Sequence, residues 1–258
     1  MEQKQQLKMQ LLEKFGICDE PKSINFCREA FAFLTEDDAT HEDSLVSDSA
    51  EPVAVDLGLP SGTLWADRNV GASSPEDCGL FFSWGNTEGH RPEAGDTDWG
   101  DKDEAFDYDF SPEEYAKTPG SSLDGDIDAA HDAARANMGA PWRLPTTAEF
   151  KELYDNCDFV QADGSTVIGS TTTDKRVTVN GIVGLLFKSK INGNTIFFAC
   201  SGYGSGSTWS NRGSIGYYWT SSFVSARYAR CLGFDSGGVR PQSGYGSRYL
   251  GLAVRPVQ

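Results

Sequence analysis

No CxxC pair occurs among the six cysteines of this 258-residue chain, and none of its three histidines sits at zinc-finger spacing. The pattern therefore gives no zinc module, and the scattered thiols read mostly as buried side chains. His41, His90 and His131 fall in a linker, an acidic loop and an Ala-rich helix. None stands in a recognisable nucleophile motif with a serine or cysteine, so no catalytic residue is assigned. Basic excess is missing as well: 22 Lys and Arg face 38 Asp and Glu, a net charge of −16. That excludes general nucleic-acid binding, which needs a positive footprint, and reads as solubility and self-repulsion. No apolar run approaches a membrane span. The opening "MEQKQQLKMQLLEKFG" has no apolar h-region. Synthesis in the cytoplasm without a signal peptide is expected, with any outside role reached by another route.

The most local absence lies in residues 225–250, "SARYARCLGFDSGGVRPQSGYGSRYL", which contain no Lys, Glu, Met or Trp. Tyr, Arg, Ser and Gly dominate instead. Hydrophobic residues make up 38% of the whole chain and aromatics 12%, enough for a real core.

Residues 1–50 read as a helical hairpin plus acidic linker. Leu7, Leu11, Leu12 and Phe15 share one helical face, and Ser23 caps a second helix carrying Ile24, Cys27, Phe31 and Leu34. Two such short helices cannot bury their apolar faces alone, so a docking or oligomerising role is expected. The main domain spans 51–258. Residues from about 86 to 122 look like a long acidic loop. "DIDAAHDAARANMG" predicts one helix. "TTAEFKELYDNC" predicts a second, with Thr146 and Glu149 at capping-box spacing and Phe150, Leu153, Tyr154 and Cys157 on one face. Asn180-Gly181 and Asn192-Gly193 predict hairpins within a meander of "RVTV", "IVGLLFKS" and "NTIFFAC". Trp65, Trp84, Trp142 and Trp219 read as core, and Trp99 and Trp209 lie in loop-like sequence. The sum is α+β: two helices packed on antiparallel strands with long irregular loops.

"VDLGLPSGTLWADRNVGASSPEDCGLFFSWG", "PWRLPTTAEFKEL", "GYYWTSS" and "LGLAVRPV" resemble, in that order, a bacterial paralogous-domain family of the C-type-lectin-like fold, in its formylglycine-generating-enzyme-like branch. The resemblance covers roughly residues 53–258. Residues 212–250 are similar to the variable region of proteins diversified by retroelements. There, template adenines are randomised, and Asn codons become codons that cannot encode Lys, Glu, Gln, Met or Trp. Between Ser221 and Gly251 only Gln242 lies outside the permitted set. The resemblance implies a ligand-binding protein without enzymatic activity or cofactor. Its partner would be a protein or glycan on a cell surface, with no nucleic acid and no membrane insertion. A phage receptor-binding or virion-surface protein is the first expectation and a bacterial surface adhesin the second. An oxidase of the same fold is the third, but the reactive cysteine pair of that branch has no match here.

The implied binding surface comprises Phe223, Val224, Ser225, Arg227, Tyr228, Arg230, Cys231, Gly233, Asp235 and Gly238, followed by Arg240, Ser243, Gly244, Tyr245, Gly246, Ser247, Tyr249 and Leu250. Period two along "CLGFD" turns Leu232 and Phe234 inward and sends Cys231, Gly233 and Asp235 outward. Val239 and Pro241 read as scaffold. Tyr and Arg give such a surface its anchors, as in antibody loops, and Ser and Gly its adaptability. Asp235 is the lone acid of the stretch, which favours an anionic patch on the partner. The acidic loop, with Asp96, Asp98, Asp101, Asp103, Glu104, Asp107 and Asp109, reads as a solvated charge run rather than a calcium site. "DGDID" departs from a calcium loop, since Ala129 and Arg135 stand where Gly and Glu belong, so it reads as helix capping. No metal ligand is assigned.

Overall fold

A computed structural model describes residues 51–91 and 127–258, apart from 207, 226 and 243. The expected hairpin of residues 1–50, Trp99 and most of the acidic loop lie outside the described residues.

In chain order, β1 (Ala54–Asp56) and β2 (Leu64–Ala66) form a ribbon, and β3 (Phe81–Phe82) follows. Two helices come next, α1 (Ala133–Met138) and α2 (Thr147–Asn156). A four-stranded sheet is built from β4 (Cys157–Phe159), β5 (Val177–Val179), β6 (Ile182–Ser189) and β7 (Thr195–Ala199). β8 (Tyr203–Ser205) and β9 (Thr208–Ser210) make a second ribbon. The chain then runs through β10 (Gly216–Phe223), β11 (Tyr228–Asp235), β12 (Gly238–Arg240), β13 (Tyr245–Ser247) and β14 (Leu252–Ala253). These five and β3 form a six-stranded sheet of order β12-β11-β10-β14-β3, with β13 also paired to β11. The described residues are thus mostly sheet with two helices, an α+β or mainly β protein.

Local chemistry explains several of these elements. Asn180 and Gly181 both adopt positive φ, 48° and 84°, the conformation that a two-residue turn between twisted strands requires, and they join β5 to β6. Asn192-Gly193 lies in a longer connection. There Asn192 and Asn194 donate to the Asp56 carbonyl at 2.9 and 2.8 Å, tying the hairpin to the first ribbon. α2 opens with the full capping box, the Thr146 hydroxyl accepting from the Glu149 amide and the Glu149 carboxylate accepting from the Thr146 amide. Phe150 and Leu153 are buried as expected, but Tyr154 is 37% exposed because it lies at the edge of that face. α1 is shorter than its sequence suggested. Asp132 rather than the upstream aspartates caps it, accepting from the amides of Ala134, Arg135 and Leu144. Asp128 instead closes a turn through the Ala130 and His131 amides.

Two apolar clusters share the hairpin of β10 and β11 as their common wall. Tyr218, Leu232 and Phe234 enter one with Trp65, Phe150 and Phe198; Trp219, Ala229 and Cys231 enter the other with Trp84 and Phe82. Trp65, Trp84, Trp142 and Trp219 are all buried, and the last is anchored by its indole N–H donating to the Phe82 carbonyl at 2.7 Å. Burial of each large side chain contributes roughly 1.5–3 kcal/mol.

One buried cation joins the parts. Arg255 is fully inaccessible. Its guanidinium donates to Asn69 Oδ1 at 2.8 Å, to the carbonyls of Ala66 and Asp67 at 3.2 and 3.1 Å, and to the Phe197 carbonyl at 2.8 Å. It also lies 4.5 Å from the centre of the Phe198 ring. Burial pushes its pKa down to about 10, with Tyr218 and Asp67 pulling the other way, so it stays charged at neutral pH. A second polar tie holds α2 in place. Arg143 makes a forked pair with Glu149 at 2.9 and 2.6 Å, and the Thr63 hydroxyl donates to the same carboxylate at 3.0 Å.

Arg255→Met strands four oxygen acceptors, and the expected loss of about 3–5 kcal/mol is read from the urea midpoint. Arg255→Lys recovers a minority of that loss, because one ammonium cannot reach all four; full recovery would show that charge alone matters. Glu149 gives a pH signature. Burial pushes its pKa up, but Arg143, the Thr146 amide and Thr63 outweigh it and hold the carboxyl below its ordinary 4.5. Its contribution is therefore complete above that value and is lost as pH falls through the lowered one. Urea midpoints between pH 6 and 3 should fall less steeply for Glu149→Gln than for the parent chain.

Candidate functional site

The stretch 223–250 assembles into one continuous patch around β11. β12 pairs with its second half through Gly233–Arg240, Phe234–Val239 and Asp235–Gly238, and β13 with its first half through Tyr228–Ser247, Ala229–Gly246 and Arg230–Tyr245. The turn before β11 closes by the amides of Val224 and Ser225 donating to the Tyr228 carbonyl at 2.9 and 3.0 Å.

Exposure sorts the expected residues into three groups. Arg227, Tyr228 and Tyr245 are exposed, the two tyrosines at 40% and 61%, with rings edge to face at 5.6 Å. Phe223, Val224, Ser225, Arg230, Asp235 and Gly238 are half-buried, and so are Arg240, Gly246, Ser247, Tyr249 and Leu250. Ser243 lies outside the described residues. Cys231, Gly233 and Gly244 are buried, which corrects their expected outward placement. The period-two reading has the faces right, since Leu232 and Phe234 point into one cluster and Cys231 into the other. The second face is not free, however. Residues 244–250 fold back over Cys231, and the Tyr217 ring and Arg240 cross over Gly233. Gly244 packs so closely on β11 that a Cβ there would overlap the Cys231 carbonyl oxygen. It is a backbone requirement, not a recognition position.

Polar contacts stiffen the patch. Arg240 pairs with Asp235 at 2.8 Å, and this hydrogen bond is the main reason the carboxyl sits below its ordinary range and the guanidinium above its own. Arg230 donates to the Gln242 carbonyl at 3.0 Å, while its buried Nε has no partner among the described residues. Arg248, 4% exposed, works as a strap. Its amide donates to the Arg227 carbonyl, its carbonyl accepts from the Trp84 amide, and its guanidinium lies 5.0 Å from the Trp84 ring centre. Residues 223–250 hold four arginines against Asp235 as the one acidic side chain, so the stretch is locally basic on an acidic chain.

Beside the patch is a pocket of about 350 Å³. Tyr217, Cys231, Tyr249 and Leu250 line it from within residues 212–250. Tyr203, Ser205 and Leu252 line it from outside that range and were not among the expected residues. A sequence signal for them exists: the pentapeptide SGYGS occurs twice, at 201–205 and 243–247. Both copies reach the pocket, the first through Tyr203 and Ser205 and the second through Tyr245 and Gly246. Tyr203 and Tyr217 meet edge to face at 6.0 Å. Burial raises the Tyr217 phenol above its ordinary value, keeping it a neutral hydroxyl.

The described cysteines, Cys78, Cys157, Cys200 and Cys231, are all free and buried. Burial pushes the thiols of Cys157, Cys200 and Cys231 up to about 12, the opposite of what a nucleophilic cysteine needs. Among the described residues no group of three His, Cys, Asp or Glu is placed to hold a metal ion, and no helix is long and apolar enough to cross a membrane.

At pH 8 a thiol raised to this degree is thiolate in roughly one molecule in ten thousand. Iodoacetamide should therefore alkylate Cys157, Cys200 and Cys231 in the folded protein at least ~100-fold more slowly than in urea, as read by peptide mass. Native-state labelling of Cys231 at the unfolded rate would show that the 244–250 cover opens freely.

Comparison with known proteins returns nothing: no family model, no curated protein and no solved structure matches this chain.

Proposed function

We propose that residues 51–258 form a ligand-binding domain of the C-type-lectin-like kind, whose surface within 212–250 is diversified by a retroelement and serves receptor recognition on a virion. One observation carries the reading. Along β10 and β11, large apolar side chains (Tyr218, Trp219, Leu232, Phe234) are at most 1% exposed and fix the backbone from both sides. Around them, Arg227, Tyr228, Arg230, Arg240, Tyr245 and Tyr249 reach or border the surface. A frame determined by one set of residues can carry exchangeable chemistry on another, and Tyr with Arg is the pairing that yields the most contact energy per residue. The permitted-codon pattern from Ser221 to Gly251 supports the same reading. The raised thiols of Cys200 and Cys231, which sit in different core clusters, support binding over oxidase chemistry. The partner is a protein or glycan bearing an anionic patch, to match the arginine excess.

The test is sequencing of this gene's 3′ region across a natural population. Substitutions are expected to concentrate at the codons of Arg227, Tyr228, Arg230, Arg240 and Tyr245 and to spare Trp219, Leu232, Phe234 and Gly244. An adjacent template repeat and reverse-transcriptase gene should accompany them, and neighbouring tail genes would mark a virion protein. Uniform or absent variation would replace this reading with a domain of fixed specificity.

A further inference from the structure

The pocket between the two SGYGS copies changes chemistry from floor to mouth. Cys231, Leu250 and Leu252 supply an apolar lining, and the thiol is a weak hydrogen-bonding group. Tyr203, Ser205 and Tyr245 supply hydroxyls. At about 350 Å³ the space lies near the lower end of small-ligand pockets, roughly 300–1,000 Å³, and admits one ring rather than a chain of them. A sugar ring carries hydroxyls on every side, and each one buried without a partner costs about 1–3 kcal/mol. An aromatic ring makes no such demand of the leucines, and its edge and face both find tyrosine rings to pack against. The surroundings select the flanks. Arg230 stands opposite the lining residue Tyr245 in the β11–β13 pairing, Arg240 lies with the lining Tyr217 ring beside Gly233, and the Asp235 carboxylate is already tied to Arg240.

We propose that this pocket is the anchor site of the recognition surface, and that it takes a single aromatic side chain presented on an acidic polypeptide segment of the partner. The inference rests on the binding reading above and gives it a chemical class. Tyr203, Ser205 and Leu252 stand outside 212–250, so every version of the surface keeps those walls. Residues 231, 245 and 250 set depth and mouth. Position 231 determines specificity through size: Cys leaves the floor open, and a larger side chain fills it.

The experiment uses the full chain labelled with 3-fluorotyrosine and followed by fluorine NMR, with the Tyr203 and Tyr217 signals assigned by Tyr203→Phe and Tyr217→Phe. The probes are acetyl-Glu-Asp-Tyr-Glu-Asp-amide, its Tyr→Ala analogue, methyl α-mannoside and N-acetylneuraminic acid. The tyrosine peptide should shift both signals saturably, with affinity falling as salt rises. The alanine analogue should bind at least about tenfold more weakly, the loss of one anchor residue. Cys231→Leu and Leu250→Trp should each abolish the shift. The first alters the floor and the second acts from the half-buried rim, so the second decides if the first does not fold. Equal shifts with the alanine analogue, shifts with the sugars alone, or no movement of Tyr203 with any probe would overturn the proposal. The two readings separate cleanly. Concentrated natural variation without peptide binding leaves diversified recognition standing and removes the anchor. Flat variation with saturable peptide binding leaves the anchor on a domain of fixed specificity.

Discussion

The guanidinium of Arg255 is the joint on which the described fold turns. It takes four oxygens from two segments distant in sequence: Asn69 with the carbonyls of Ala66 and Asp67, and the Phe197 carbonyl of β7. β7 belongs to the four-stranded sheet, while Arg255 itself follows directly on β14 of the six-stranded one. A buried charge is expensive, so the arrangement is favourable only with every donor engaged, and a partly assembled version is worse than none. That makes the joint a criterion of correct folding as much as a source of stability. Asn69 extends it by donating from its amide nitrogen to the Cys78 carbonyl at 2.9 Å, which draws the 69–78 loop into the same network.

With both sheets fixed there, the hairpin of β10 and β11 becomes a wall with a core on each side. Both strands carry buried side chains on both faces, and the consequence is a rigid platform. The indole N–H groups of Trp84 and Trp219 donate to the carbonyls of Thr220 and Phe82, both at 2.7 Å, locking β3 and β10 across the intervening β14. Next to this platform the edge formed by β12 and β13 is lightly held, by short pairings and by arginines that lie along the backbone. Rigidity and exchangeability are adjacent but carried by different residues.

Much of this was legible in the sequence where the cause is local. The Asn180-Gly181 turn, the capping box of α2, the four core tryptophans and the inward Leu232 and Phe234 all follow from rules that act within a few residues. What was not legible depends on contacts distant in sequence. Arg248 and Arg255 are arginines that composition assigns to the surface; Arg248 is buried against the Trp84 ring, and Arg255 is buried where the Phe198 ring and carbonyls from distant segments converge on it. Cys231 and Gly233 alternate correctly yet face a covered side, because Cys231 enters the cluster of Trp84 and Trp219 and the Tyr217 ring and Arg240 cross over Gly233. Alternation tells which face a residue takes, not whether another segment roofs that face. The pocket walls from β8 were announced by the second SGYGS, a repeat too short to register as an internal duplication.

The pairing of β10 with β14 has a further consequence. These strands lie side by side and parallel, with Tyr218 opposite Ala253, so both start from the same end of the sheet. The chain leaves β10 at the far end, at Phe223, and must travel back before β14 begins at Leu252; β11 makes that return, antiparallel to β10. The return strand is therefore obligatory, and its buried Leu232 and Phe234 are part of the core. Only the connections that join it to its neighbours are free to change length, at a closure cost that grows by about 0.6 kcal/mol for each doubling. Evolution can thus vary the reach of this surface in its turns while the strand that carries them stays in register.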